Sequence, residues 1–238
     1  MRRLLLIVSC ATLLPALAVA QDTTGVGGAG EWRPFVVTPF LGTQLYDRSS
    51  ALEGNTPAAG IDVTYRITRM FGVGVMLGAS RPLTDANMFP LVRMQAGDTS
   101  LYYRVGQRLT QYVYGLQGMA SLPTASRFNP YVDAGIGRCT FDMDPQAVGT
   151  TERYSGPMFS LGAGLSFLVG SRTGFTVDLR DIILSSFDRS RLDATDRLFR
   201  DTNFDQTPPG QPAPSSTVHN LRLSIGVRFV PDARGGTQ

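Results

Sequence analysis

The side chains that could do chemistry are few in this 238-residue chain, and they are widely spaced. His219 is the only histidine. Hydrolysis would need it beside a nucleophile and a carboxylate, and Ser215, Ser216 and Asp188 are the nearest candidates in the same stretch. No serine sits in a Gly-x-Ser-x-Gly turn, so the motif that exposes a nucleophile is missing. Beyond the leader, Cys139 is the only cysteine; one histidine and one thiol make neither a metal-ligand cluster nor an intramolecular disulfide. No catalytic, metal or cofactor site is therefore expected. Another set is more regular. Asp62, Arg66, Gln117, Asp133, Asp178, Arg180, Arg222 and Arg228 each interrupt a run of alternating apolar residues. Their chemistry is ion pairing and hydrogen bonding in a confined space, provided that the surrounding elements turn them to one side.

The stretch 219–229 shows how that happens. Leu221, Leu223, Ile225, Val227 and Phe229 alternate with Asn220, Arg222, Ser224, Gly226 and Arg228. A period of two makes a strand with one apolar and one polar face. The polar face mixes arginine with small residues, which suits a narrow interior, and the apolar face ends on Phe229, where an interfacial aromatic belongs. The reading is a membrane barrel strand with its apolar face to lipid.

The ends and the composition agree with export. Arg2 and Arg3, the apolar run 4–17 and the small-x-small end Ala18-Val19-Ala20 read as a cleaved signal peptide over 1–20. The run is short of the ~20 residues of a spanning helix, and lipidation at Cys10 would leave it too short for export. Loss of Arg2 and Arg3 lowers the net charge from +3 to +1, which does not suggest a nucleic-acid partner. All 22 basic residues are arginine, a bias that reads first as codon usage and second as a preference for phosphate groups such as those of lipopolysaccharide.

Residues 21–31 form a loose periplasmic lead, and Trp32 opens a first strand in which Val36, Thr38, Phe40, Gly42 and Gln44 share the inner face. Pro39 predicts a bulge there. A second strand, 60–68, carries Asp62, Thr64 and Arg66 inward and turns tightly into a third, 71–81, with glycines facing in. The long stretch 81–108 ends in an alternation at Leu101, Tyr103 and Val105, read as the outer beginning of a fourth strand that spans over 111–122. Strands follow over 130–141, 158–169 and from 175, with Asp133 on the inner face of the fifth, and Asp178 and Arg180 on that of the seventh. Asp181 then faces lipid, unless it lies at the rim or a bulge turns it. The loop 186–218 holds a short helix over 190–200 and a Pro-rich tip at 207–215. Strand eight closes the set.

Eight strands alternate short and long connections, the long ones being 47–57, 81–108, 142–156 and 186–218. Short periplasmic turns and long extracellular loops are the rule for outer-membrane barrels. Trp32, Phe71, Phe167, Phe175 and Phe229 are placed in a periplasmic girdle, with Tyr46, Tyr112, Phe159 and Phe187 in an outer one. The expected fold is all-β: an eight-stranded antiparallel up-and-down transmembrane barrel over 32–230 with a short periplasmic tail, 231–238.

With these features the chain resembles the OmpA-like family of small outer-membrane barrels. The resemblance rests on the leader, on Asn129-Pro130-Tyr131-Val132 at the start of strand five, and on Gly226-Val227-Arg228-Phe229 at the end of strand eight. It implies an outer-membrane location in a Gram-negative envelope and contacts with outer-membrane lipid and lipopolysaccharide. It also implies an insertion signal at Gly226, Val227 and Phe229, read by the barrel-insertion machinery. Nine residues follow Phe229, too few for a peptidoglycan-binding domain. Three roles stay open: a structural or surface-interaction barrel with a filled lumen, a narrow pore or carrier for small or apolar solutes, and a lipid-modifying enzyme. The first is preferred, with a possible extracellular ligand at the long loops and a bridged arginine–aspartate network blocking the lumen.

Overall fold

The computed structural model describes residues 34–88, 92–103, 106–122, 124, 127–143, 152–169, 172–192 and 217–231. The leader, the lead with Trp32, the tip 207–215 and the end of the tail lie outside the described residues. Strands β1 (Phe35–Leu45), β2 (Asn55–Arg66), β3 (Phe71–Ser80), β6 (Leu109–Ser121), β7 (Phe128–Met143), β8 (Glu152–Leu168), β9 (Thr173–Ser185) and β10 (Thr217–Phe229) form the barrel; β4 (Val92–Ala96) and β5 (Thr99–Tyr103) make a separate hairpin between β3 and β6. Each barrel strand pairs antiparallel with its neighbours, and β1 closes on β10. The fold is a closed, eight-stranded, all-antiparallel barrel.

Alternation places the apolar residues outside. Leu41, Leu116 and Ile225 are 71%, 64% and 63% exposed, whereas Asn220, Arg222 and Ser224 on the opposite face of β10 are buried. In water such a surface would be an aggregation hazard; against hydrocarbon it is the stable one. Closure removes every strand edge, so the backbone polar groups of the wall are satisfied within the wall.

Several expectations are corrected. Pro39 makes no bulge: β1 and β2 keep one register from Phe35↔Tyr65 to Leu45↔Asn55. Its missing N–H costs only a local lapse in the ladder to β10, where pairing skips from Val37↔Phe229 to Phe40↔Gly226 without adding a residue. The alternation at 101–103 is a strand, but its partner is β4 through a turn at Gly97, whose φ of 63° suits glycine. It does not extend β6. Over 190–200, only a 3-10 turn at Arg189–Leu192 falls among the described residues.

β7 and β8 are the longest strands, at 16 and 17 residues. At ~3.4 Å per residue and ~45° tilt, 17 residues rise about 40 Å, well beyond an apolar band of ~25 Å. Their outer ends therefore stand above the bilayer. There Arg153 Nε and Nη2 donate to Asp142 Oδ1 and Oδ2 at 2.6 and 2.9 Å, which holds the Asp142 carboxyl below the usual carboxylate range.

The outer half of the lumen is plugged. Met76, Leu109, Phe141, Met158, Ile182 and Val218 are buried there, and Phe187 and Leu192 fold in from the β9–β10 connection. Two residues assigned to the outer girdle belong to this interior. The Tyr46 hydroxyl donates to Gln111 Oε1 at 2.6 Å and lies 2.8 Å from Ser80 Oγ. The Phe187 ring packs edge-on against Phe141 and Tyr154. Tyr112 and Phe159 do face outward, as do Phe71, Phe175 and Phe229 at the other end.

Candidate functional site

Below the plug the lumen is charged. β9 and β10 bring Arg180 opposite Arg222 and Asp178 opposite Ser224. On the other side of β9, Arg180 lies opposite Gly162 of β8, which in turn lies opposite Asp133 of β7. Gly162 is what lets those two charges meet. A Cβ added there would lie 2.7 Å from both Asp133 carboxylate oxygens. Gly164, two residues on, leaves room in the same way for the Tyr131 ring, 2.4 Å from a Cβ placed there. The Tyr131 hydroxyl then donates to Asp178 Oδ2 at 3.2 Å.

Arg180 is the centre of this layer. Its Nη2 donates to Asp62 Oδ2 and to Asp133 Oδ2, both at 3.3 Å, so it joins β2 to β7 across the lumen. Its Nε lies 3.2 Å from Asp133 Oδ1 and 3.5 Å from Asp178 Oδ1, close enough for ion pairing but aligned for a hydrogen bond with neither. Its Nη1 donates to Met76 Sδ at 3.6 Å, against the floor of the apolar plug. Arg222 stands beside this cluster. It lies 4.1 Å over the Phe40 ring and 3.9 Å from Asp178 Oδ1.

The other predicted members do not join. Gln117 is buried, and neither of its amide atoms has a protein partner. Arg228 is buried too, but its bond is to Ser166 Oγ, from Nη1 at 3.0 Å, and among the described residues no carboxylate reaches it. Arg66 lies lower on β2 and likewise meets no carboxylate among the described residues. The layer thus gathers three aspartates around Arg180 and Arg222 and leaves two arginines beneath it. Tyr131, Met76 and the β8 glycines are not among the residues expected in the network; Tyr131 shares the parity of Asp133, and that is the available signal.

The single histidine is on the outer wall. His219 Nδ1 lies 2.8 Å from Asp181 Oδ2, and the side chains are 52% and 20% exposed. Asp181 does face outward, no bulge turns it, and this histidine is its partner. Ser215 and Ser216 lie outside the described residues. Cys139 is buried in the lumen, where its Sγ accepts from Gln111 Nε2 at 3.0 Å. Among the described residues, no group of three or more His, Cys, Asp or Glu side chains could hold a metal ion.

A closed antiparallel barrel with an apolar exterior and a charged layer in its narrow lumen is an outer-membrane barrel. The model of the outer membrane protein beta-barrel domain matches residues 5–229, and the chain belongs to that family. Among solved structures, Neisserial surface protein A superposes with a TM-score of 0.53 at 14% identity, over 83% of this chain and 97% of that one. Ail, the attachment invasion locus protein of Yersinia pestis, matches at 0.44 and 12% identity over 83% and 100% of the two chains. OprG of Pseudomonas aeruginosa matches at 0.46 and 12% identity over 83% and 95%. The first of these likenesses speaks for the fold. No curated protein matches the sequence.

Proposed function

We propose that this outer-membrane barrel is a structural and surface-interaction protein whose lumen is closed to ions and solutes. The carrying observation is the Arg180 layer, in which one guanidinium draws in Asp62, Asp133 and Asp178 from three strands. Met76 and the apolar plug lie directly above it. An eight-stranded barrel is just wide enough for side chains to fill. An ion crossing here would have to separate desolvated partners and then enter an apolar layer, with nothing to replace its water.

The outer wall contacts lipid and lipopolysaccharide, and the outer ends of β7 and β8 carry the surface available to an extracellular ligand. Val227 and Phe229 on the wall, with the inward Gly226, serve as the insertion signal. No catalytic role is assigned, because the bond of His219 is to Asp181 on the outer wall. Reconstitution in planar bilayers tests the closed lumen: the wild type should show no steady conductance. A stable open level would make the protein a pore and end this reading.

A further inference from the structure

The lumen below the Arg180 layer is not filled. A cavity of about 100 Å³ remains, bounded above by Asp62, Asp178 and Arg180 and lower down by Arg66 and Arg228, with Arg69 of the β2–β3 turn at its edge. It is a vestibule facing the short-turn, periplasmic end, and it is roofed by the plug. A single water needs only ~10–15 Å³ of such space, so several fit. That is ample room for a small oxyanion.

Charge decides what it would hold. Each roof carboxylate faces a guanidinium, Asp62 that of Arg180 and Asp178 those of Arg180 and Arg222, and Asp178 also accepts from the Tyr131 hydroxyl, although Asp62 Oδ1 and Asp178 Oδ1 accept no hydrogen bond. The arginines lower down are not matched in this way. Among the described residues Arg228, 6% exposed, has no carboxylate partner, and its Nε has no acceptor. A buried guanidinium without a counter-charge is costly, and an unsatisfied buried donor calls for an absent partner. Arg66, half-buried and also without a carboxylate, lines the same space. Ser166 accepts from Arg228, so its own hydroxyl proton is free to donate, and Thr176 lines the cavity beside it. Gly226 helps to keep the space open. A Cβ there would lie 2.6 Å from Thr176 Oγ1 and 2.8 Å from Thr38 Cγ2.

We propose that this periplasm-facing vestibule binds a phosphate group, held between the Arg66 and Arg228 guanidiniums with the Ser166 hydroxyl as a further donor. Planar guanidinium forks match tetrahedral phosphate oxygens. The phosphate comes either from a small free species or from a phospholipid headgroup reaching over the periplasmic rim. The site is separate from the closed-lumen reading: conductance reports on the roof, and phosphate binding on the mouth.

The test uses the full chain, refolded in an uncharged detergent with ¹⁵N-labelled arginine. Inorganic phosphate is titrated at constant ionic strength against chloride while the Arg228 Nε–H resonance is followed. In a second arm the protein sits in nanodiscs of a phosphate-free betaine lipid, with or without phosphatidylglycerol. A saturable shift with phosphate that chloride does not reproduce is expected, weakened roughly tenfold by Arg66→Gln through loss of one charge-assisted contact. A shift confined to the phosphatidylglycerol arm and lost in Arg66→Gln identifies the source as lipid. Arg228→Gln alters the closing strand and can fail to insert, so the wild-type resonance and Arg66→Gln carry the decision. No saturable shift in either arm, the same shift with chloride, or indifference to Arg66→Gln overturns the site.

Discussion

Replacing Arg180 with methionine should cost far more than replacing any one of its partners. Three carboxylates lie 3.2–3.5 Å from its nitrogens. At an effective dielectric of about 20, unit charges ~4 Å apart attract by about 4 kcal/mol, so the three contacts sum to roughly 10 kcal/mol gross. Relieving the burial of the guanidinium returns several kcal/mol, while the stranded carboxylates then repel one another. The net loss expected for Arg180→Met is on the order of 5 kcal/mol or more. In Asp178→Asn, Arg180 keeps Asp62 and Asp133 and the amide oxygen still accepts from Tyr131, but Arg222 loses the carboxylate it pairs with; that change should cost about 2–3 kcal/mol. Adding Asp178→Asn to Arg180→Met should recover little, because two carboxylates remain stranded. Adding Asp62→Asn and Asp133→Asn, with Arg222→Met so that no guanidinium is stranded in turn, should recover most of the loss, and this full replacement is the variant whose recovery is scored. The assay is urea titration in phosphatidylcholine vesicles, scored by the mobility difference between folded and unfolded barrel on gels. If Arg180→Met is no worse than Asp178→Asn, or the full replacement does not recover, Arg180 is not the hub and the reasoning fails.

Two further predictions concern the wall. Leu223→Arg puts a charge on the lipid face and should cost about 2–4 kcal/mol if it lies at mid-bilayer, while Ser224→Ala, one residue away in the lumen, should be mild; equal insertion yields for both would contradict the assigned register. His219→Ala leaves the outward Asp181 without its partner and should destabilise the barrel by about 1–3 kcal/mol, whereas the same change in an Asp181→Leu background should have almost no effect. Additive losses in that double-mutant cycle would show that the pair is not coupled.

The barrel was legible because lipid outside and side chains inside impose one rule on every strand. A period of two states which residues share a face, and the length of each connection states which end it occupies. The errors arose where that rule was set aside or ended. Tyr46 has the parity of Phe40 and Gln44, and so points inward; it was assigned to the outer girdle by height alone. Phe187 lies beyond β9, after Ser186 at a φ of 56°, and a residue past such a turn no longer follows the strand's parity. The hairpin of β4 and β5 shows the same limit differently, since alternation reports that a segment is a strand but not which strand it pairs with.

The lumen network was legible in membership and not in connection. Backbone height groups Arg66, Asp133, Asp178 and Arg228 low in the barrel, but an arginine side chain reaches past its own layer, and where it goes depends on which neighbours are small. Gly162 admits Asp133 to Arg180, Gly164 admits Tyr131 to Asp178, and Met76 stops Arg180 from above. Arg66 and Arg228 share a cavity with Asp62 and Asp178 but ion-pair with neither, so they remain as the excess positive charge of the mouth. The glycines on β8 thus decide both halves of the lumen. They concentrate the acids in a closed roof, and in doing so they leave the vestibule beneath it positive.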